Sequence, residues 1–297
     1  MSGTSEAEIP APRLLNKASD RAGLVLGGGG ITGIAWEIGL LAGLAEAGVD
    51  LINAGTVIGT SAGSVVGAQI LSGAPIEDLY AGQLGDATGE IAAKMGLWAI
   101  ARFVILAGWP GDEVTSRARL GRAALATRTV PESVRRSVIE ERLFNRAWPK
   151  RRLLIPAVDA ETGKARVFDR NSGVTLVDAV AASCAVPLVW PPMTVDGRRY
   201  IDGGVRSITN ADLALGCDPV IVLAPVTIAI RRSGRIANQL AMLGSEVRSM
   251  TVSPDAQARK AIGSNTLDPS HRAAAARAGR NQASTVASAV AAVWASA

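Results

Sequence analysis

The chain has 297 residues, of which 48% are hydrophobic and 19% are charged, so a disordered or fibrous protein is excluded. Two cysteines cannot build a disulfide-rich secreted scaffold, and no Cys/His spacing indicates a structural zinc site. The net charge of +5 arises after residue 224, where nine residues are basic and three are acidic. Because the basic residues are spaced apart, they favour a solvated helical face over a nucleic-acid or anionic membrane partner.

Two segments bear on localisation. The first 19 residues are polar, contain two prolines and lack an apolar run, so we expect a flexible arm and no signal peptide. The most apolar stretch, residues 91–110, is interrupted by Lys94 and Arg102 and is too short to span a bilayer, which takes roughly 18–20 residues. We expect a cytoplasmic protein in which this stretch is a buried helix or one that touches a membrane surface.

Strands and helices alternate in the first third of the chain. Residues 22–26 predict a strand that stops at four glycines, and residues 31–47 have a helical period. Residues 54–59 predict a second strand, followed by a helix over residues 64–71. This alternation predicts a parallel sheet that is covered on both faces.

The remainder of the chain contains a helical middle, over residues 77–146, and further strands. Strands are predicted at residues 152–158, 165–168, 199–201 and 219–223, with a helix at 175–184. After Pro225 the chain turns polar and alanine-rich. We predict an α/β domain over residues 20–225 and a docked helical extension over residues 226–297, which we expect to lie away from the chemistry.

The first glycine-rich turn has the spacing of a dinucleotide-binding fingerprint, with Gly28, Gly30 and Gly33 between a strand and a helix. That site also needs an acidic residue at the end of the second strand. Asp50 has about the right separation but lies before the second strand. A nucleotide-binding module therefore stays open as an alternative with weak support.

The second turn has the pattern Gly-x-Ser-x-Gly, formed by Gly59, Ser61 and Gly63. A serine at a sharp strand-to-helix turn is projected above the sheet, and the helix behind it supplies free N–H groups. This placement predicts a nucleophilic serine. The alternative is a serine that only caps the helix.

The single histidine decides which base could serve Ser61. His271 lies in a polar segment outside the predicted sheet, so a Ser-His-Asp triad is disfavoured. A carboxylate or a lysine is then needed. Asp202 follows a short predicted strand and precedes Gly203 and Gly204, and burial would make it a stronger base, although an ordinary Asp-Gly turn would have the same sequence.

Three stretches, taken together and in this order, resemble the patatin-like phospholipase family of serine lipid acyl hydrolases. They are LVLGGGGITGIAWEIGLLAGL from Leu24, VIGTSAGSVVGA from Val57, and ASCAVPLVWPPMTVDGRRYIDGGVRSITNADLA from Ala182. The resemblance implies a three-layer α/β/α sandwich with a mainly parallel central sheet. It also implies a Ser61–Asp202 dyad, with no cofactor and no metal. Ester hydrolysis through an acyl-enzyme, of phospholipid, lysophospholipid or acylglycerol, is the expected activity.

The resemblance further assigns the oxyanion hole to the backbone N–H groups of Gly28, Gly29 and Gly30. One position departs from the family, whose loop commonly reads Gly-Gly-Gly-x-Arg-Gly, because Thr32 stands at the arginine position. The sequence therefore also allows a catalytically weak homologue that binds lipid. The expected partner is a lipid substrate, with peripheral membrane contact as a further expectation, and the apolar stretch at 91–109 could line an acyl channel.

Overall fold

The computed structural model describes residues 7–8, 21–85, 93, 96–108 and 110–294. Most of the predicted N-terminal arm, and residues 91–92, 94–95 and 109 of the apolar stretch, lie outside these ranges. Nine described strands form one sheet in the order β1-β5-β4-β3-β2-β8-β9, with β7 beside β4 and β6 beside β7. They are β1 (Ala7–Glu8), β2 (Gly23–Leu26), β3 (Thr56–Gly59), β4 (Arg152–Asp159), β5 (Ala165–Phe168), β6 (Met193–Val195), β7 (Arg198–Asp202), β8 (Val220–Leu223) and β9 (Ser249–Val252).

Helices flank this sheet. In chain order the described α-helices are α1 (Gly30–Glu46), α2 (Ala62–Ile70), α3 (Ile76–Leu84), α4 (Leu97–Gly108), α5 (Glu113–Leu125), α6 (Glu132–Glu141), α7 (Leu176–Ser183), α8 (Ile236–Ala241), α9 (Ala256–Ile262) and α10 (Arg272–Trp294). The strands β2, β3, β8 and β9 are parallel to their neighbours, whereas β4 pairs antiparallel with β5 and β7. The predicted α/β class with a mainly parallel sheet is confirmed.

Both faces of the central strands are buried, which explains their unbroken apolar sequence. Successive side chains of a strand point to opposite faces. Leu24 and Leu26 of β2 join a core with α1, α2 and α10, whereas Val25 packs on the other side against Val222 of β8. This is the arrangement that a parallel sheet covered on two faces requires.

The segment after Pro225 is more than a helical extension. It supplies β9, which pairs in parallel with β8 and extends the sheet. Helix α10 crosses α1 so closely that a Cβ atom at Gly39 would lie 2.0 Å from the Ala276 carbonyl oxygen. The sequence prediction missed β9 because the strand has only four residues at the sheet edge, although polar and apolar residues alternate along it.

Candidate active site

Strand β4 brings Ser61 and Asp202 together. On the edge of β4 opposite to β5, β3 pairs with Arg152–Leu154 and β7 pairs with Ala157–Asp159. Because β3 runs parallel to β4 and β7 runs antiparallel to it, the carboxyl ends of β3 and β7 point towards each other. Ser61 follows β3 by two residues, and Asp202 is the last residue of β7. Both residues line one cavity.

Ser61 occupies a strained turn between β3 and α2. Its φ of 51° is in the left-handed region, which is costly for a residue other than glycine. Its N–H donates to Ser183 Oγ at 3.0 Å, and that hydroxyl donates to the Pro156 carbonyl at 2.7 Å. The strained serine is therefore held through Ser183 to β4.

The glycines on either side of Ser61 are required by close backbone approach. A Cβ atom at Gly63 would lie 2.1 Å from the Leu26 carbonyl oxygen, and one at Gly59 would lie 2.4 Å from the Gly63 carbonyl oxygen. Only glycine lets α2 start this near to β2. The same holds at Gly203, where a Cβ atom would lie 2.2 Å from the Pro156 carbonyl oxygen.

Asp202 is a buried carboxylate with one oxygen fixed. Its Oδ1 accepts the Gly204 N–H at 2.7 Å, while Oδ2 has no partner of full hydrogen-bond geometry among the described residues. Burial raises the pKa of Asp202 to about 6. The nearby Ser61 hydroxyl, the Gly204 N–H and the charge of Arg135 limit that rise in pKa. The result is a carboxylate that is a stronger base than an ordinary aspartate.

The glycine-rich loop lines the same cavity, whose volume is about 660 Å³. The N–H of Gly28 is already engaged, since it donates to the Ile208 carbonyl at 2.7 Å. The N–H groups of Gly29 and Gly30 have no acceptor in the described part of the chain. Two of the three predicted oxyanion donors are thus available in this conformation. Gly30 has a φ of 61°, and a Cβ atom there would lie 2.5 Å from the Thr266 carbonyl oxygen.

Comparison with known proteins identifies the family of this chain. The model of the patatin-like phospholipase family matches residues 24–215. The chain belongs to the patatin-like phospholipase family. Uncharacterized NTE family proteins of Mycobacterium bovis and Mycobacterium tuberculosis are 30% identical over 234 residues, which is 76% of this chain and 54% of the relatives. The chain thus spans about half the length of these curated relatives.

Two solved structures are also similar to this chain. The crystal structure of VipD from Legionella pneumophila has a TM-score of 0.46 and 15% identity, and covers 91% of this chain and 67% of its own. The type III effector protein ExoU has a TM-score of 0.40 and 17% identity, and covers 91% of this chain and 53% of its own.

The departure from the patatin-like loop motif has a structural counterpart. Thr32 is fully buried, and both its N–H and its hydroxyl donate to the Thr266 carbonyl, at 3.1 and 3.3 Å. Residues 264–267 line the cavity. The expectation that the C-terminal segment lies away from the proposed chemistry is therefore wrong. The long-range contact of Thr32 with Thr266 was not visible in the sequence.

The positively charged side chains at the cavity come from α6 and the residue after it, and not from the glycine-rich loop, where the family commonly has an arginine. Arg135 and Arg142 line the cavity, and the Arg135 guanidinium stacks over the Trp190 ring at 4.1 Å from its centroid. The sequence prediction missed both arginines. A signal was available, because Arg135 shares one helical face with the buried residues Val138 and Ile139 at spacings of three and four.

His271 and the buried Cys184 each contact a backbone carbonyl oxygen. His271 is outside the cavity lining, and its Nδ1 is 2.8 Å from the Ala261 carbonyl oxygen. Cys184 lines the cavity and donates from Sγ to the Ser61 carbonyl at 3.3 Å, and burial raises the pKa of its thiol. No group of three His, Cys, Asp or Glu side chains in the described ranges could hold a metal ion. No helix there is long and apolar enough to cross a membrane.

Proposed function

We propose that this patatin-like protein hydrolyses fatty-acyl esters of lipids through an acyl-enzyme on Ser61, with Asp202 as the general base. One observation supports the dyad above all. The strands that lead to Ser61 and Asp202 point towards each other along one edge of β4, at a cavity lined mainly by apolar side chains. Such a cavity suits an acyl chain.

The proposed reaction starts with transfer of the Ser61 hydroxyl proton to Asp202 as Oγ attacks the ester carbonyl carbon. Negative charge then develops on the carbonyl oxygen, which the N–H groups of Gly29 and Gly30 stabilise. The leaving alcohol takes the proton from Asp202, and the acyl group stays on Ser61. A water molecule next gives a proton to Asp202 and attacks the acyl carbon. Ser61 Oγ recovers that proton and the fatty acid leaves.

Burial supports the role of Asp202. With a pKa of about 6, the carboxylate is ionised at neutral pH and accepts a proton more readily than a solvated aspartate would. The Gly204 N–H fixes one carboxylate oxygen and leaves the other to receive the proton. The Ser61 hydroxyl is near this carboxylate without reaching full hydrogen-bond geometry, and catalytic hydrogen bonds often tighten only when substrate binds.

The nucleotide-binding alternative gains no support from the loop. The Gly28 N–H is occupied by Ile208, and the Thr266 carbonyl oxygen lies against Gly30. Thr60 and Ser61 follow β3, so the acidic residue that the fingerprint needs at the end of this strand is also missing. The other alternative is a catalytically weak homologue that binds lipid. Only a measurement of ester turnover distinguishes it from the proposed function.

A substrate panel tests the function. Phospholipids, lysophospholipids, acylglycerols and p-nitrophenyl esters should be incubated with wild type, Ser61→Ala and a control, Ser72→Ala. The Ser72 hydroxyl donates to the Gln69 carbonyl at 2.6 Å and is outside the cavity lining. We expect ester cleavage by wild type and Ser72→Ala, and a loss of at least about 10³-fold in Ser61→Ala. Fatty-acid release by Ser61→Ala at the wild-type rate would refute the assignment.

A further inference from the structure

An exposed apolar surface adjoins the cavity. Five large apolar side chains, which we call the apolar rim, come from α4 and from the segment after β8. They are Trp98, Val104 and Ile105 of α4, with exposures of 89%, 51% and 56%, and Ile228 and Ile230, with exposures of 78% and 43%. Contiguous apolar surface of this kind marks an interaction site in a protein that is stable in water.

The two parts of the rim are held together. The Arg231 guanidinium donates to the Ala107 carbonyl at 3.1 Å and to the Gly111 carbonyl at 3.3 Å. Val104 and Ile228 line one small cavity. Residues 226–231 therefore pack against the C-terminal half of α4, and Trp98, seven residues before Ile105, extends the rim along the same helical face.

The rim is continuous with the proposed active site. Helix α4 has two functional faces, because Ile100 and Phe103 line the 660 Å³ cavity while Trp98 and Ile105 are exposed. Phe103 and Val226 line both the large cavity and the small one beside the rim. A lipid taken from a surface that contacts the rim would reach Ser61 along an apolar path.

The charges within the two segments that form the rim are of one sign, whereas Asp112 and Glu113 follow at the start of α5. In residues 97–108 and 226–241 every charged side chain is an arginine, and Arg102, Arg232 and Arg235 are exposed. Arg102 follows Trp98 by four residues and precedes Ile105 by three, so it shares their helical face. Glu113, at the start of the next helix, is engaged by Ser233 and Arg117.

These observations favour an anionic lipid surface over a second copy of the chain. Two copies joined through the rim would place arginines against arginines, whereas anionic head groups would complement them. A helix with exposed Trp and aliphatic side chains and a basic flank is suited to the boundary between head groups and acyl chains.

We propose that the apolar rim docks the protein on an anionic membrane and that α4 passes lipid from this surface into the Ser61 cavity. The docking step concerns binding only, while the delivery step rests on the proposed function. In the docked protein the rim side chains lie among the acyl chains. Arg102, Arg232 and Arg235 then contact lipid phosphates.

The test uses vesicle co-sedimentation of the Ser61→Ala protein, so that lipid turnover does not change the vesicles. We expect binding to phosphatidylcholine vesicles that contain phosphatidylglycerol, and weaker binding at high salt. The double substitution Trp98→Ser and Ile105→Ser should reduce the partition coefficient at least about tenfold, because two apolar side chains no longer enter the bilayer. Arg232→Gln with Arg235→Gln should reduce the preference for phosphatidylglycerol.

The matched control is Leu215→Ser, which removes another exposed apolar side chain, 65% exposed, near the opposite end of β8. It should bind vesicles as its parent does, and all variants should keep the parent melting temperature. Docking is refuted if the rim variant binds as the parent does, if the control loses as much binding, or if the parent is a dimer that the rim substitutions dissociate. Because sedimentation does not depend on turnover, failure of the hydrolysis assay leaves this result interpretable.

Discussion

At the scale of single residues, the structure contains a buried carboxylate whose desolvation lowers the stability of the fold. Asp202 is buried, has one oxygen without a hydrogen-bond partner among the described residues, and has a pKa raised to about 6. A group with a raised pKa in the folded state favours folding when it is protonated. The carboxylate therefore weakens the fold at the neutral pH where the proposed mechanism uses it as a base.

Asp202→Asn separates these two effects. We expect hydrolysis to fall by at least about 10³-fold, since the amide cannot accept the serine proton. We also expect the free energy of unfolding at pH 8 to rise by about 1–3 kcal/mol, since a desolvated charge is removed. Calorimetry and ester turnover measure the two quantities. Asp159→Asn is the control. Asp159 forms an ion pair with Arg198, so this substitution should lower the free energy of unfolding.

The pH dependence of turnover follows from the same pKa. The base must be ionised, so kcat/KM for a soluble p-nitrophenyl ester should rise through about pH 6 and then reach a plateau. Stability should change in the opposite direction, falling as the pH rises from about 4 to about 6 and then levelling. A profile that still rises between pH 7 and pH 9 would assign the base to another group.

At the scale of elements, the packing of α2 on β2 depends on Gly63, which has no Cβ atom. Gly63→Ala would place Cβ 2.1 Å from the Leu26 carbonyl oxygen, so we expect a loss of about 3 kcal/mol or more in the free energy of unfolding. Gly82→Ala in α3 is the control, because its Cβ would meet nothing within 4 Å. There the gain in helix propensity should stabilise by about 0.5–1 kcal/mol. Equal melting temperatures for the two variants would contradict this account.

The sequence could predict the elements whose signal is local. The turns around Gly30 and Ser61 follow from glycine chemistry at strand ends, and the central strands follow from short apolar runs. The predictions of the family and of the sheet class were correct because they rested on these local signals. The sequence could not show that β7 meets β3 end to end along β4, because that arrangement depends on pairs 96 positions apart for β3 and 41–45 positions apart for β7.

At the scale of the whole molecule, the C-terminal segment is part of the sheet and of the cavity. Strand β9 covers the edge of β8, α10 packs on α1, and Thr266 contacts Thr32 behind the glycine-rich loop. The sequence predicted only a helical extension for this segment, because its alanine-rich composition does not indicate these long-range contacts. The position of Thr266 in the cavity could not be predicted for the same reason, whereas Arg135 was missed although its helical face indicated burial.

Truncation tests this integration. A chain that ends at Pro225 would expose the edge of β8 and the face of α1 that α10 buries. We expect it to bind a hydrophobic dye and to lack a cooperative thermal transition, whereas the full chain unfolds cooperatively. A truncated protein with the full chain's melting temperature would show that residues 20–225 form an independent domain.

The central claim, that Ser61 is a nucleophile activated without histidine, is tested most directly by covalent labelling. The protein should be treated with a fluorophosphonate probe and digested, and the modified peptide should be sequenced by mass spectrometry. The account predicts a single adduct on Ser61, retained in His271→Ala, abolished in Ser61→Ala and strongly slowed in Asp202→Asn. An adduct on another serine, or labelling of Asp202→Asn at the wild-type rate, would contradict it.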